Sequence, residues 1–212
     1  THAERLGCHR ERRIYGHDLV AKTRQRPNGV LVLPGRNPAL LASQLATLAV
    51  LAPRRILPAF GVRAATAVDR RFYPVSGDRA EVFEEALVVL RRLLAEPEVT
   101  HRGTHFTLDG VRVLPRPERP LDLWLGGRAD VGLRRVGRLA DGWLGSFVTP
   151  DEAARARRVI EEAARDAGRT VEDDHYGTYV TLVLPGADPT PTLRLVAAQR
   201  PDVDPRSLVA EG

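Results

Sequence analysis

Hydrophobic residues recur along the chain with two different spacings. Short aliphatic runs bounded by glycine or proline predict buried strands at residues 30–33, 56–60, 121–125 and 176–184, and a further strand opens at residues 141–143. Between these runs, apolar residues return every three or four positions and predict amphipathic helices at residues 39–51, 79–94, 131–139 and 152–167. Residues 99–113 predict a hairpin with its turn at Asp109-Gly110. This alternation is typical of a parallel sheet covered by helices.

Two architectures share this alternation, an open doubly wound sheet and a closed (β/α)8 barrel. A doubly wound dinucleotide fold carries its glycine fingerprint at the first βα turn. Here the glycine pair Gly126-Gly127 comes late in the chain, and (β/α)8 barrels commonly bind phosphates at loops after late strands. The fold class we predict is therefore α/β, a (β/α)8 TIM barrel.

The stretch LDLWLGGRADVGLRRVGRLADGW, residues 121–143, contains the clearest candidate site. A strand runs through Gly126 and Gly127 into a helix. Unpaired N–H groups and the positive end of the helix dipole attract anions, and glycine lets a phosphate approach the backbone. Arg128 adds a positive charge. The other interpretation is a βα turn that needs glycine for its backbone angles alone.

Composition and charge narrow the function classes. The chain is 43% hydrophobic and 28% charged, as in ordinary globular proteins, and has no apolar run that could span a membrane. A net charge of +5 could indicate nucleic-acid binding. However, arginines alternate with acids, as in Arg158, Glu161 and Glu162, and no basic run alternates with aromatics. The single cysteine, Cys8, excludes an internal disulfide and fits a reducing cytoplasm.

Three segments carry a family resemblance: VLVLPGRNPALLASQLATLAVL, VFEEALVVLRRLLAEPEVTHRGTHFTLDGVRVLPRP and LDLWLGGRADVGLRRVGRLADGW. They resemble the luciferase-like monooxygenase superfamily, and most of all its actinobacterial branch of F420-dependent oxidoreductases. The resemblance extends over residues 3–183. It implies one barrel domain over residues 1–212 that binds coenzyme F420, or alternatively FMN, at the C-terminal ends of the strands. We assign no metal ligands.

The resemblance also implies cofactor-binding residues in two loops. The loop after strand seven holds the cofactor phosphate in the family, and it matches Gly126, Gly127, Arg128 and Ala129. The end of strand three, where family members often form a bulge with a non-proline cis peptide behind the flavin ring, matches Asn28, Gly29 and Val30. An ordinary turn before a strand is the alternative for this second set.

Two further residues match the end of the family's strand two. Relatives carry Asp followed by His there, and this chain has the inverted pair His17-Asp18. In relatives the histidine lies at the ring and can transfer protons, a role that its near-neutral pKa suits. We therefore name His17 and Asp18 as the catalytic candidates. The alternative is that they only hydrogen-bond the ring or orient substrate. Asp141 is expected to be structural.

Some family segments have no counterpart in this sequence. The first strand, a helix and strand near residues 26–28, and the last strand and helices after Gly212 are absent, and the chain contains no methionine. A barrel without these strands would expose sheet edges. We therefore expect a longer protein of about 300 residues, the length of a typical barrel with insertions.

The resulting functional hypothesis is hydride transfer between F420 and a small organic substrate. An FMNH2-dependent monooxygenase is the first alternative, and a non-catalytic flavin-binding homologue is the second. We expect a cytoplasmic homodimer that binds neither nucleic acid nor membranes. The loop at residues 62–77 is expected to cover the substrate side.

Overall fold

Eleven short strands are found in the part of the chain that the structure, a computed structural model, describes: residues 14–15, 30–62 and 71–211. In chain order they are β1 (Ile14–Tyr15), β2 (Leu31–Val32), β3 (Ile56–Leu57), β4 (Ala59–Gly61), β5 (Val99–Arg102), β6 (Thr107–Val111), β7 (Trp124–Gly126), β8 (Gly142–Gly145), β9 (Tyr176–Thr178), β10 (Thr181–Val183) and β11 (Val209–Glu211). Five of them form one parallel sheet in the order β2-β4-β7-β8-β9. β1 pairs in parallel with β3.

Five α-helices lie entirely within the described residues. They are α1 (Pro38–Leu51), α2 (Arg79–Ala95), α3 (Asp130–Leu139), α4 (Pro150–Asp166) and α5 (Thr190–Gln199). Side-chain caps define where three of them begin. Asn37 accepts hydrogen bonds from the first amides of α1, Asp78 does the same for α2, and Thr149 and Glu152 form a capping box on α4. None of these helices is long and apolar enough to cross a membrane.

The sheet buries both of its faces. One face packs against α1, α2, α3 and α4 in a continuous core that includes Phe60, Phe83 and Trp143. The opposite face carries Ala59, Trp124 and Leu144, which form a smaller apolar cluster with Leu57 of β3. Neighbouring residues such as Trp124 and Leu125 fall in different clusters because successive strand side chains point to opposite faces. Short strands buried on both faces agree with the aliphatic runs of the sequence.

The predicted arrangement around residues 121–143 is confirmed. β7 and β8 are adjacent and parallel, with Trp124 opposite Gly142 and Leu125 opposite Trp143. α3 follows β7 and packs on the helix-covered face of the sheet, where Val136 is fully buried. The helix is strongly amphipathic, and Val131 on its other side faces solvent.

The predicted hairpin forms, but its predicted turn is wrong. β5 and β6 pair antiparallel, and Asp109 and Gly110 lie inside β6. The chain reverses earlier, where the Gly103 amide donates to the carbonyl of Phe106. Two residues of β6, Asp109 and Gly110, stand opposite one residue of β5, and Gly110 has φ +60°. Gly110 therefore serves a β-bulge, which requires the same left-handed backbone as a turn.

The last third of the chain also differs from the prediction. The single strand expected at residues 176–184 is two strands, because β9 joins the main sheet whereas β10 pairs with β11. The closing segment, rich in proline and acids, contains α5 and β11. Similarly, Pro58 divides the strand expected at residues 56–60 into β3 and β4, since proline has no N–H for the ladder.

Candidate functional site

The loop after β7 adopts the backbone conformation that makes Gly127 necessary. Gly127 has φ +143°, and a Cβ atom added there would meet nothing within 4 Å. The glycine is required by its backbone angle, and the space beside it is open. The indole Nε1 of the buried Trp143 donates to the Gly127 carbonyl at 2.9 Å. Because a trans peptide is planar, the N–H of Arg128 points away from Trp143.

The start of α3 leaves amide groups available behind this loop. Its N-cap residue is Ala129, which makes no side-chain capping bond. The first intrahelical bonds come from the amides of Gly132 and Leu133 to the Ala129 carbonyl. The amides before them are the orphan donors of a helix N-terminus. The one acidic residue in this turn, Asp130, forms an ion pair with Arg155 of α4 at 2.6 Å, which offsets its negative charge beside the amides.

Val30 lies across the ends of two neighbouring strands. Cβ atoms added to Gly61 and Gly126 would come within 2.8 and 2.7 Å of the two Val30 methyl groups. The backbones of β4 and β7 therefore fit closely around this half-buried side chain. The structure thus brings Val30 next to Gly126 at the C-terminal end of the sheet. Sequence reasoning missed Gly61, which sits in a strand with no local signal of the contact.

The remaining predicted site residues fall into two groups. Arg128 and Ala129 lie in the loop beside Gly127, and both are exposed. Four predicted residues lie outside the described residues: His17, Asp18, Asn28 and Gly29. Their roles stay predictions.

A buried arginine organises the neighbouring loop after β8. Arg200, only 2% exposed, donates to Glu152 at 2.7 Å, to Asp202 at 2.8 Å and to the carbonyl of Phe147. Phe147 has φ +54°, a conformation rare outside glycine. These bonds fasten the segment after α5 to the loop after β8. No sequence motif indicated this role, because Glu152 and Phe147 are far from Arg200 along the chain.

The charge of Arg128 acts on Asp202, in the segment after α5. Hydrogen bonds from Arg200 and from the backbone lower the pKa of Asp202 to about 2, and the nearby guanidinium of Arg128 acts in the same direction. The hydrogen bond from Arg200 likewise lowers the pKa of Glu152, although partial burial opposes it. Both carboxylates are therefore ionised near neutral pH. The site therefore combines backbone donors with an exposed arginine, whose charge acts on the carboxylate of Asp202.

Two other features lie away from this loop. A cavity of about 620 Å³ opens between the end of α1 and the proline-rich residues 115–122, before β7 rather than after it. Among the described residues, Glu172, Asp174 and His175 place potential metal-binding atoms within 4.8 Å of one another, but both acids are exposed. Neither feature involves a predicted cofactor residue.

Comparison with known proteins gives relatives that include a dehydrogenase and a monooxygenase. An uncharacterised protein of Mycobacterium tuberculosis is 31% identical over 145 residues, covering 66% of this chain and 49% of the relative. An F420-dependent glucose-6-phosphate dehydrogenase of Microbacterium testaceum is 25% identical, covering 79% and 48%. A pyrimidine monooxygenase of Variovorax paradoxus is 29% identical, covering 73% and 42%. The chain thus spans about half the length of these relatives.

Solved structures show the same fold. An F420-dependent secondary alcohol dehydrogenase, in complex with an F420-acetone adduct, matches with a TM-score of 0.65 at 24% identity, covering 73% of this chain and 48% of that protein. The oxygenating constituent of 3,6-diketocamphane monooxygenase of Pseudomonas putida, with FMN, matches with a TM-score of 0.62 at 19% identity, covering 80% and 51%. The described sheet and helices are part of this luciferase-like TIM-barrel fold. Residues 28–198 match the family of luciferase-like monooxygenases, and the chain belongs to that family.

Proposed function

We propose that the protein is an oxidoreductase that transfers a hydride between coenzyme F420 and a small organic substrate. The observation that carries this proposal is the uncapped N-terminus of α3 behind Gly127, at the C-terminal end of the sheet. Barrel enzymes place their sites at this end. Several of the relatives with similar sequences are named as F420-dependent glucose-6-phosphate dehydrogenases, which supports the deazaflavin over FMN.

The residues after β7 fit the phosphate of such a cofactor. The space beside Gly127 is open, the first amides of α3 have no side-chain cap, and Arg128 is exposed. Backbone donors and a positive helix end stabilise a phosphate with little reorganisation. In this proposal Gly127 allows close approach, Ala129 leaves the amides open because its side chain has no acceptor, and Arg128 adds charge.

The ring side of the proposed site involves Val30 and the inverted pair. When bound, the deazaflavin supplies the carbon centre that gives or accepts a hydride, and the protein supplies orientation and electrostatics. Val30, held between Gly61 and Gly126, offers an apolar surface at the strand ends. We assign to His17, with Asp18 as its neighbour, the task of holding or moving a proton at the substrate.

Two alternatives differ in kind. An FMNH2-dependent monooxygenase is supported by the relative named as a pyrimidine monooxygenase and by the FMN-containing structural match. A non-catalytic flavin-binding homologue is supported by the inversion of His17 and Asp18. For all three we propose a cytoplasmic homodimer without membrane partners. We also propose no nucleic-acid partner, since surface arginines are paired with acids, as in Arg157 with Glu161 at 2.7 Å.

A titration of the purified protein separates these functions. F420 and FMN are added in turn and binding is followed by fluorescence, with Gly127→Pro as the matched variant. We expect F420 to bind more tightly and the variant to bind more weakly. Oxidation of reduced F420 by candidate ketones then tests turnover. Preference for FMN with O2 consumption would establish the first alternative, binding without any turnover the second, and binding of neither cofactor would overturn the proposal.

A further inference from the structure

Four arginines converge on a pocket far from the cofactor loop. A cavity of about 340 Å³ lies between α2, the C-terminal end of α3 and Arg169, and this arginine pocket is lined by Arg91, Arg92, Arg138 and Arg169 together with Leu87 and Leu139. Asp141, bonded to Arg91, directly precedes β8 and accepts from the amide of Leu123 just before β7. The pocket therefore flanks the N-terminal ends of these strands, whereas Gly127 follows the C-terminal end of β7.

Positive charge exceeds negative charge around the pocket. Among the described residues, five guanidinium groups, those four and the buried Arg135, bond to three carboxylates. Two of the carboxylates are shared. Glu84 Oε1 accepts from Arg135 at 2.8 Å and from Arg138 at 3.0 Å. Asp141 binds Arg91 with both oxygens, at 3.1 and 2.8 Å, and meets Arg169 only at 3.5 Å.

Arg169 experiences this imbalance most strongly. Its hydrogen bonds go to the carbonyls of Gly137 and Ala140, at 3.1 and 2.8 Å, and these are neutral acceptors. Burial lowers the pKa of Arg169, the carboxylate of Asp141 opposes this, and the positive charge of Arg91 adds to it. A guanidinium that is partly desolvated beside another cation is destabilised in its charged form. A bound anion would relieve that cost.

We propose that the arginine pocket binds a small phosphorylated anion at a site separate from the cofactor anchor. Guanidinium groups recognise phosphate oxygens through paired, charge-assisted hydrogen bonds. The cavity is within the size range of small-ligand sites, about 300–1,000 Å³. Its apolar residues Leu87 and Leu139 provide a surface for a nonpolar group attached to the phosphate. The pocket shares no residue with the proposed cofactor site.

The test measures binding of inorganic phosphate and of pyrophosphate to the whole protein by calorimetry, at constant ionic strength set with sodium chloride. We expect saturable binding with a Kd in the millimolar range or tighter, and tighter binding of pyrophosphate because it reaches more guanidinium groups. Arg138→Gln should weaken it about tenfold. The matched control is Arg134→Gln, since Arg134 also lies on α3 and pairs with Glu162 at 3.5 Å outside the pocket.

Two further variants separate the possible outcomes. Gly127→Pro should leave this binding unchanged, which distinguishes the pocket from the cofactor anchor. Because Arg169 also holds carbonyls of α3, Arg169→Lys is used instead of a neutral variant, and it should bind more weakly while remaining folded. The proposal is overturned if pyrophosphate does not bind by about 10 mM, if Arg134→Gln and Arg138→Gln behave alike, or if Gly127→Pro abolishes binding.

Discussion

The two ends of α3 differ in what satisfies their backbone groups. At the C-terminal end, Arg91 donates to Leu139 at 3.0 Å and Arg169 donates to two further carbonyls. At the N-terminal end, Ala129 provides no side-chain acceptor. Cations at a helix C-terminus interact favourably with the helix dipole. The protein's own side chains thus stabilise the C-terminal end of α3. The N-terminal end can therefore bind a ligand without being needed for the stability of the fold.

This contrast predicts that substitutions at the two ends of the sheet change different properties of the protein. Changes at the C-terminal ends of the strands should alter catalysis or cofactor binding while the protein stays folded. Changes around Asp141 and the carbonyl end of α3 should alter the free energy of unfolding instead.

The largest effect is expected from His17→Ala. If His17 holds or moves a proton at the substrate, its loss should reduce turnover about a hundredfold, whereas cofactor affinity stays near normal. Asp18→Ala, made separately, shows which member of the inverted pair carries the role. Steady-state turnover and cofactor titration of each variant are the measurements. If both variants turn over like the wild type, neither His17 nor Asp18 transfers a proton in the reaction.

Asp141→Ala should cost the fold about 2–3 kcal/mol. The substitution leaves the buried Leu123 amide without its acceptor and removes the carboxylate bonded to Arg91, which keeps only the carbonyl of Leu139. A buried amide left without an acceptor is destabilising. Urea unfolding measures the loss. Asp130→Ala is the control at the other end of α3, because its ion pair is exposed and worth less than about 1 kcal/mol. Equal losses in both variants would contradict the difference between the helix ends.

Gly127→Pro should weaken cofactor binding at least tenfold, about 1.4 kcal/mol. Proline cannot adopt the φ of +143° found here, so the loop must change its path to the first amides of α3. Gly186→Pro is the matched control, since Gly186 also has a positive φ of +78° with open space around it, but lies in a different turn. If a folded Gly127→Pro variant binds the cofactor with unchanged affinity, Gly126 and Gly127 serve only the backbone angles of the turn.

The smallest effect concerns Glu85 of α2, which accepts hydrogen bonds from residues of the hairpin. Burial raises the pKa of Glu85, but hydrogen bonds from His101 and from the amides of His105 and Phe106 outweigh this and lower it below 4.5. Since the folded pKa is below the unfolded value, the stabilisation is present above pH 4.5 and is lost as pH falls through the folded pKa.

Glu85→Gln should therefore reduce stability by about 1 kcal/mol at pH 7 and flatten its decline toward acid pH. Urea unfolding of both proteins at pH 7 and in the acid range measures this. Cofactor affinity at pH 7 should be unaffected. An identical acid response of wild type and variant would show that Glu85 does not stabilise the folded state through its charge.

The sequence predicted those features that depend on local periodicity and turn chemistry. The spacing of Leu133 and Val136 placed α3 within one residue of its observed start at Asp130. Gly126 and Gly127 marked the loop that opens behind β7. The hairpin turn was misplaced because Gly110 satisfies the local rule for a turn, whereas the pairing of β5 with β6 uses its positive φ for a bulge.

Contacts between distant segments could not be predicted in this way. The buried Arg200 links the end of α5 to α4 and to the loop after β8, and two of its three partners, Glu152 and Phe147, are distant in the sequence and identifiable only in three dimensions. The same holds for the arginine pocket, whose residues come from α2, α3 and the segment after α4. Their sequence neighbourhoods are ordinary charged helix surfaces, so composition alone favoured solvated ion pairs.

The close fit of Val30 between Gly61 and Gly126 has a consequence for how these positions can vary. A side chain added at either glycine would overlap a Val30 methyl group, so the effect of one substitution depends on which residue occupies the other positions. Gly126→Ala alone should be poorly tolerated, and Val30→Ala should make room for it. The end of β7 and the end of β4 are thus epistatic through one valine. In related chains, a larger residue at one of these three positions should be accompanied by a smaller residue at another.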